Sequence, residues 1–363
     1  MNRLALTLGV VSLLGCGSAR PRASQPRTGA ARAAVTTGAN DVSCSSPAAR
    51  VFGAGLCVCE NASLVGSGLT AMSSDGLTTD VGVDGLTHVV GDYRIDGTLV
   101  SWKGIDDVGT LQTRDDVMTP ASVTGVGTLT VGRDLIVGGD LSTVGEITVG
   151  GLVRAAGKVT HVGNGLAQTG PYLPRESPPC GCDPSQLLDV AGEVTKVAER
   201  NDNDSIGLSK VNQVGALTLE LKGGRYYLES VDSVGDLELH VTAPSALYIG
   251  GNLKTVGTDT IDVDEGASLD LYVAGNVENV GTWRVGQGTL AGVVRMFVGG
   301  KDPLLASVGD KDFVGAIYAP TADFTLVGNT SIRGGLFVKN LTGTGELLVD
   351  FARAATPAPG ACP

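Results

Sequence analysis

Aromatic side chains are scarce in this chain: Phe, Trp and Tyr together make up 4% of 363 residues. That is thin material for a globular enzyme core. Histidine is scarcer still, with only His88, His161 and His240, which leaves few groups for base catalysis or metal ligation near neutral pH. Positive charge is in deficit too. The 26 Lys and Arg face 38 Asp and Glu, for a net charge of −12. Arg20, Arg22, Arg27 and Arg32 fall in the N-terminal stretch, so the remainder is more acidic than the total. A basic stripe for nucleic acid is excluded. No Gly-x-Ser-x-Gly elbow, Walker loop or His-Glu-x-x-His motif occurs, which removes the usual marks of serine hydrolases, nucleotide hydrolases and zinc proteases. Gly286-Gln287-Gly288-Thr289-Leu290-Ala291 meets a loose dinucleotide template but lacks a βαβ setting, and it reads as a glycine-rich corner.

Glycine, in contrast, is abundant at 54 residues, and much of it is periodic. Val-Gly stands at Val90-Gly91, Val108-Gly109, Val126-Gly127, Val144-Gly145 and Val162-Gly163. The interval is eighteen residues, which fits one turn of a β-helix with three sides of six. Written in rows of eighteen, the apolar residues form three columns: Tyr93, Leu111, Leu129 and Ile147; Leu99, Val117, Leu135 and Val153; Ile105, Val123, Leu141 and Val159. Each column is one inward position per side, because strand side chains alternate between faces. Each glycine supplies a corner that needs positive φ or close backbone approach. A β-sandwich shares such turn spacing but does not hold one register over four rows. The expected fold class is all-β, a β-helix solenoid with one short α-helix between two repeat blocks.

In the second half Val-Gly recurs at 214, 234, 256, 280, 308 and 327, at longer and uneven intervals. Runs such as Leu237-Glu238-Leu239-His240-Val241 still alternate as strands do. Longer coils with looped-out insertions account for both, and such loops are where repeat proteins carry binding surfaces. Between the blocks, Asp183-Pro184-Ser185-Gln186 reads as N-cap, first-turn proline and capping-box glutamine. Leu187, Leu188, Ala191, Val194, Val197 and Ala198 follow at helical spacing, and the polar run 201–204 ends the helix. It is expected to lie over an end or flank of the solenoid and cover edge strands.

The N-terminus reads as a targeting segment. Arg3 is followed by an apolar stretch from Leu4 to Leu14, too short to span a bilayer. The expected organisation is a signal peptide over 1–15, a tether over 16–43, a first β-helix block over 44–179, the Cys-x-Cys and capping helix over 180–204, a second block over 205–351 and a tail over 352–363. Apart from Cys16, six cysteines remain: Cys44, Cys57, Cys59, Cys180, Cys182 and Cys362. An even number in an exported chain reads as disulfides. Zinc spacings favour wider gaps than Cys-x-Cys, and no histidine is near. Six cysteines allow fifteen connectivities. Two of these bond Cys57 and Cys59 to Cys180 and Cys182, in either order, and leave Cys44 to reach Cys362. Among the carboxylates, Asp115-Asp116 and the group Asp262, Asp264 and Glu265 are the candidates for an acid–base pair or a calcium loop. Rows aligned with Asp115 carry Arg133 and Gly151, so no acidic ladder is expected, and the loop lacks a full EF-hand set. No catalytic residue, metal site or cofactor is expected.

Leu13-Leu14-Gly15-Cys16 resembles the lipobox of bacterial lipoproteins, which implies cleavage before Cys16 and lipid on its thiol. The coil length resembles bactofilin-like polymer-forming proteins. Gly224-Arg225-Tyr226-Tyr227-Leu228, Leu269-Asp270-Leu271-Tyr272-Val273 and Gly315-Ala316-Ile317-Tyr318-Ala319-Pro320 resemble a domain of unknown function in bacterial surface and pilus-associated proteins, over about 205–350. The whole layout resembles lipoproteins of myxobacteria. These resemblances imply an outer membrane lipoprotein, on the periplasmic face or the cell surface, and bring no catalytic residue. The expected role is non-enzymatic: a rigid surface for structural or adhesive interactions, held to the membrane through lipidated Cys16. Envelope proteins or polysaccharide are the expected partners, with self-association open. A polysaccharide-acting β-helix enzyme and a bactofilin-like filament are the alternatives.

Overall fold

The computed structural model describes residues 54–165, 169–208, 212–213, 215–286, 293–304 and 311–352. The described part of 54–352 is a β-solenoid of about 13 turns with one short helix. In the strict block each coil carries a nine-residue strand bent at its Val-Gly corner, such as Ile105–Thr113, and a three-residue strand, such as Val117–Thr119. All pairing is parallel, and each residue meets its equivalent eighteen positions on. Leu111, Leu129 and Ile147 stack in register, as do Val117, Leu135 and Val153. All are buried. Gly109 shows why the corner is glycine. Its φ is 158°, and a Cβ there would lie 2.1 Å from the Gly91 carbonyl oxygen of the coil beneath.

The order of stacking departs from the order of the chain. Ala62–Met72 pairs on one side with Thr87–Ile95, the next coil in sequence, and on the other with Leu336–Asp350, nearly 280 residues later. Leu56–Val58 is likewise held between Val81–Val83 and Leu336–Val338. The last coil of the second block therefore lies beneath the first coil of the first block. The two blocks form one continuous stack in permuted order, with Leu217–Leu228 near one end and Val159–Asn164 near the other. Both ends of the described chain meet at the junction. Phe351 N–H donates to Met72 O at 2.6 Å, and Gly55 packs on the Phe351 side chain.

Residues 169–208 make the return journey along the flank. Thr169 bridges to Val153 at the upper end. Cys180 and Cys182 bond to Cys57 and Cys59 at the junction. Asn203 exchanges hydrogen bonds with the Tyr227 backbone at the lower end. The eleven steps from Thr169 to Cys180 reach about 36 Å, while six rungs need only about 29 Å, so the strap has slack. It follows an outward column that is apolar almost throughout. In register this column holds Tyr227, Tyr248, Tyr272, Phe297, Tyr318, Phe337, Cys57, Gly82, Val100, Met118 and Ile136. Tyr248 and Tyr272 stack at 4.8 Å, and Tyr272 and Phe297 at 4.5 Å. Such a face would be a large exposed apolar patch without a cover.

The helix is Val190–Val197, and Val190, Val194 and Val197 point onto the aromatic column. It starts later than the sequence suggests. Its N-cap is Asp189, whose Oδ1 accepts from Gly192 N–H at 2.9 Å. Asp183 instead accepts from Ser185 and closes a turn just after the Cys182 bridge, which fixes the chain there. The helix covers the flank as expected, but what it covers is an outward aromatic column and not strand edges. The run at 201–204 does follow the helix end: Asn201 Nδ2 donates to the Ala198 carbonyl, and a 3-10 turn forms at Asn203–Ile206.

Candidate functional site

Chemistry in this fold has two places to be: on outward columns, or inside the prism. One set of outward acids serves the backbone. Asp116 and Asp134 are register neighbours at one corner, so acidic residues do stack there, one position beyond the row that lacks a ladder. Asp116 Oδ1 accepts from Asp134 N–H at 2.9 Å, and Asp134 Oδ1 from Leu152 N–H at 2.8 Å. Each carboxylate thus caps the coil above. Partial burial raises the Asp134 carboxyl, but the Leu152 N–H and Arg154 outweigh it and hold it below the ordinary value. An acid kept ionised in this way does not donate a proton. Asp140 caps Lys158 N–H by the same geometry.

Two of the three histidines pair with carboxylates on the surface: His88 Nδ1 with Asp106 at 3.1 Å, and His240 Nε2 with Asp264 at 3.1 Å. The bond from Asp264 raises the His240 pKa. Asp264 of the candidate calcium loop is engaged in this pair. His161 Nδ1 lies 3.0 Å from Thr143 Oγ1. Among the described residues no group of three or more His, Cys, Asp or Glu is placed to hold a metal ion. Cys57–Cys180 and Cys59–Cys182 are disulfides, each with Cα atoms 5.5 Å apart. Cys16, Cys44 and Cys362, the signal segment and the tether lie outside the described residues, as do Val214, Val308 and residues 287–292.

The interior holds polar groups that the three apolar columns do not anticipate. The residue before each Val-Gly corner forms a fourth inward column, which includes Asp107, Gly125, Thr143 and His161. Asp107 is buried, and its Oδ1 has no hydrogen-bond partner. It borders a small cavity left where Gly125 has no side chain. Burial, and then the neighbouring Asp106 charge, push its pKa up to about 6. A carboxyl raised in the fold gives stability that is fully present below its unfolded pKa and is lost as pH rises through about 6. Asp107→Asn should remove that loss. Urea unfolding should show the variant more stable than wild type by about 3 kcal/mol at pH 8, and nearly equal at pH 4.

A second interior cluster lies in the longer coils. Asp259 Oδ2 accepts from Thr255 Oγ1 at 2.5 Å, Asn279 Nδ2 at 2.6 Å and Trp283 Nε1 at 2.6 Å. Lys311 Nζ donates to Asn279 Oδ1 at 3.0 Å and to the Gly281 carbonyl. Asp259, Asn279 and Lys311 are 2%, 1% and 5% exposed. The sequence did hold a signal for it: Asp259 stands in register between Leu237 and Trp283, at an inward position.

Outside, the valines of the Val-Gly corners project into solvent. Val65, Val108, Val126, Val144 and Val162 are each at least 40% exposed and share one column, and Val234, Val256, Val280 and Val327 occupy equivalent corners.

Residues 182–356 match the model of a domain of unknown function (DUF7305), so the match begins at the second strap cysteine and takes in the helix and the second block. Nothing among the curated proteins or the solved structures matches the chain.

Proposed function

We propose that this protein is a non-enzymatic, lipid-anchored component of the cell envelope whose rigid solenoid offers a surface for structural or adhesive contacts. One observation carries this reading. The acids that stack in register cap backbone or lie inside the prism, while an apolar valine column stands exposed along the outside. Two disulfides support an extracytoplasmic setting. Anchoring at the outer membrane through Cys16 rests on the lipobox resemblance. The junction geometry changes how such an anchor would act. The chain enters the fold at its junction, so the first block is not a spacer between membrane and second block.

The valine column favours association between copies over capture of an unrelated partner. Its rungs repeat at about 4.8 Å, and a second copy matches that spacing over its whole length. Each ridge runs beside a glycine furrow, so the surface is self-complementary in the way a two-fold interface requires. From Val65 to Val162 the ridge spans five rungs, about 24 Å, so a contact of roughly 800 Å² per partner also takes in the outward faces beside it. Sedimentation of the chain starting at residue 17 should show a dimer, and Val108→Asp with Val126→Asp should yield a folded monomer. A wild-type monomer at all concentrations would remove the self-association reading. Release of sugar fragments from envelope polysaccharide would move the protein to the enzyme alternative.

A further inference from the structure

We propose that Lys311 and Asn279 become joined by an intramolecular isopeptide bond inside the second block, with Asp259 as the proton-transfer group. The three side chains are already in a row. Lys311 Nζ is 3.0 Å from Asn279 Oδ1, and Asn279 Nδ2 is 2.6 Å from Asp259 Oδ2. All three are buried, and the buried rings of Trp283 and Phe313, tilted against each other with centroids 5.8 Å apart, add apolar surface to that part of the interior.

The protonation states fit the chemistry. Burial pushes the Asp259 carboxyl up and the Lys311 ammonium down. In an apolar interior the neutral acid and neutral amine are favoured over the charged pair. Lys311 Nζ has two hydrogen-bond acceptors, Asn279 Oδ1 and Gly281 O. A neutral amine with two N–H groups is satisfied by these and keeps its lone pair for attack. Asp259 Oδ1 has no partner, which leaves one carboxyl oxygen free to carry the proton.

The step balances without an outside reagent. The Nζ lone pair forms a bond to Asn279 Cγ, and the carbonyl electron pair moves onto Oδ1. Asp259 gives its proton to Nδ2, the Oδ1 electron pair re-forms the carbonyl as the Cγ–Nδ2 bond breaks, and ammonia leaves with the bonding pair. The surplus proton on Nζ returns to Asp259, which ends neutral as it began. The product is a secondary amide linking consecutive coils. Nothing is oxidised or reduced.

Peptide mapping of the full-length wild-type protein tests this directly. After reduction, alkylation and trypsin, the bond should join 255–284 to 302–333, since an acylated Lys311 resists cleavage. The branched peptide should weigh about 17 Da less than the two together, the mass of ammonia. Asp259→Asn keeps the shape but not the proton transfer, and it should give 255–284 unlinked, with cleavage after Lys311. Unlinked 255–284 and cleavage after Lys311 in the wild type would overturn the bond, and this result needs no variant to fold. A branched peptide that persists in Asp259→Asn would overturn the role given to Asp259.

Discussion

Leu129→Asp should cost at least about 4 kcal/mol of stability, because it places an unpaired carboxylate in a packed apolar column and removes a buried leucine. Leu129 is 5% exposed and lies in register between Leu111 and Ile147. Its neighbours Leu111 and Ile147 offer no donor, and the Tyr93 hydroxyl two rungs away donates to the His88 carbonyl, so the charge has no partner. Thr128, one residue earlier, is only half-buried and points the other way. Thr128→Asp should stay within about 0.5 kcal/mol of wild type. Urea unfolding of the two variants side by side checks this. Equal losses at both positions would mean that the inward register is wrong.

Loss of both disulfides should have the other large effect, and it should not be additive. Each bridge spans 123 residues of sequence. In chain-entropy terms, closing a loop of that size stabilises the fold by about 5 kcal/mol. Once one bridge exists, the second closes only the short ring through Cys57, Val58, Cys59 and Cys180, Gly181, Cys182, and adds about 2 kcal/mol on the same basis. Removing either pair alone, as Cys57→Ser with Cys180→Ser or Cys59→Ser with Cys182→Ser, should therefore cost about 2 kcal/mol. Removing all four cysteines should cost about 7 kcal/mol. Denaturation of the three variants measures this. A fourfold variant that loses only the sum of the two single pairs would show that the bridges do not share one loop.

The legible and illegible parts of this fold divide on a physical line. Within the first block the covalent spacing is the stacking register, so Tyr93, Leu111, Leu129 and Ile147 could be aligned by counting. The positive-φ corner at Gly109 followed from the same count. The contact between Ala62–Met72 and Leu336–Asp350 has no such mark, because no period connects residues nearly 280 positions apart. The aromatic column was in plain view as residue types. Its members at 227, 248, 272, 297, 318 and 337 are unevenly spaced, because each coil carries insertions of different length. Counting from Val-Gly to Val-Gly therefore does not align them.

The candidate sites divide in the same way. The spacing of the two Cys-x-Cys pairs allows a link between them, and the parallel run of the strap beside Leu56–Val58 determines which cysteine meets which. The cluster of Asp259, Asn279 and Lys311 was missed because its members come from three coils of unequal length. The helix start was misplaced because Asp183-Pro184-Ser185-Gln186 satisfies a turn as well as a cap. The nearby bridge at Cys182 settles the choice in favour of the turn.

A distance between spin labels at Thr148 and Thr218 tests the permuted stack. Both are exposed, and both belong to one outward column that runs through Thr70 and Leu348 at the junction. They occupy opposite ends, eleven rungs apart. Pulsed electron–electron resonance should report a separation of about 53 Å. If the blocks stacked in chain order, the coil near 164 would adjoin the coil near 217, and the two labels would lie within about 10–15 Å. A short distance would contradict the fold described here.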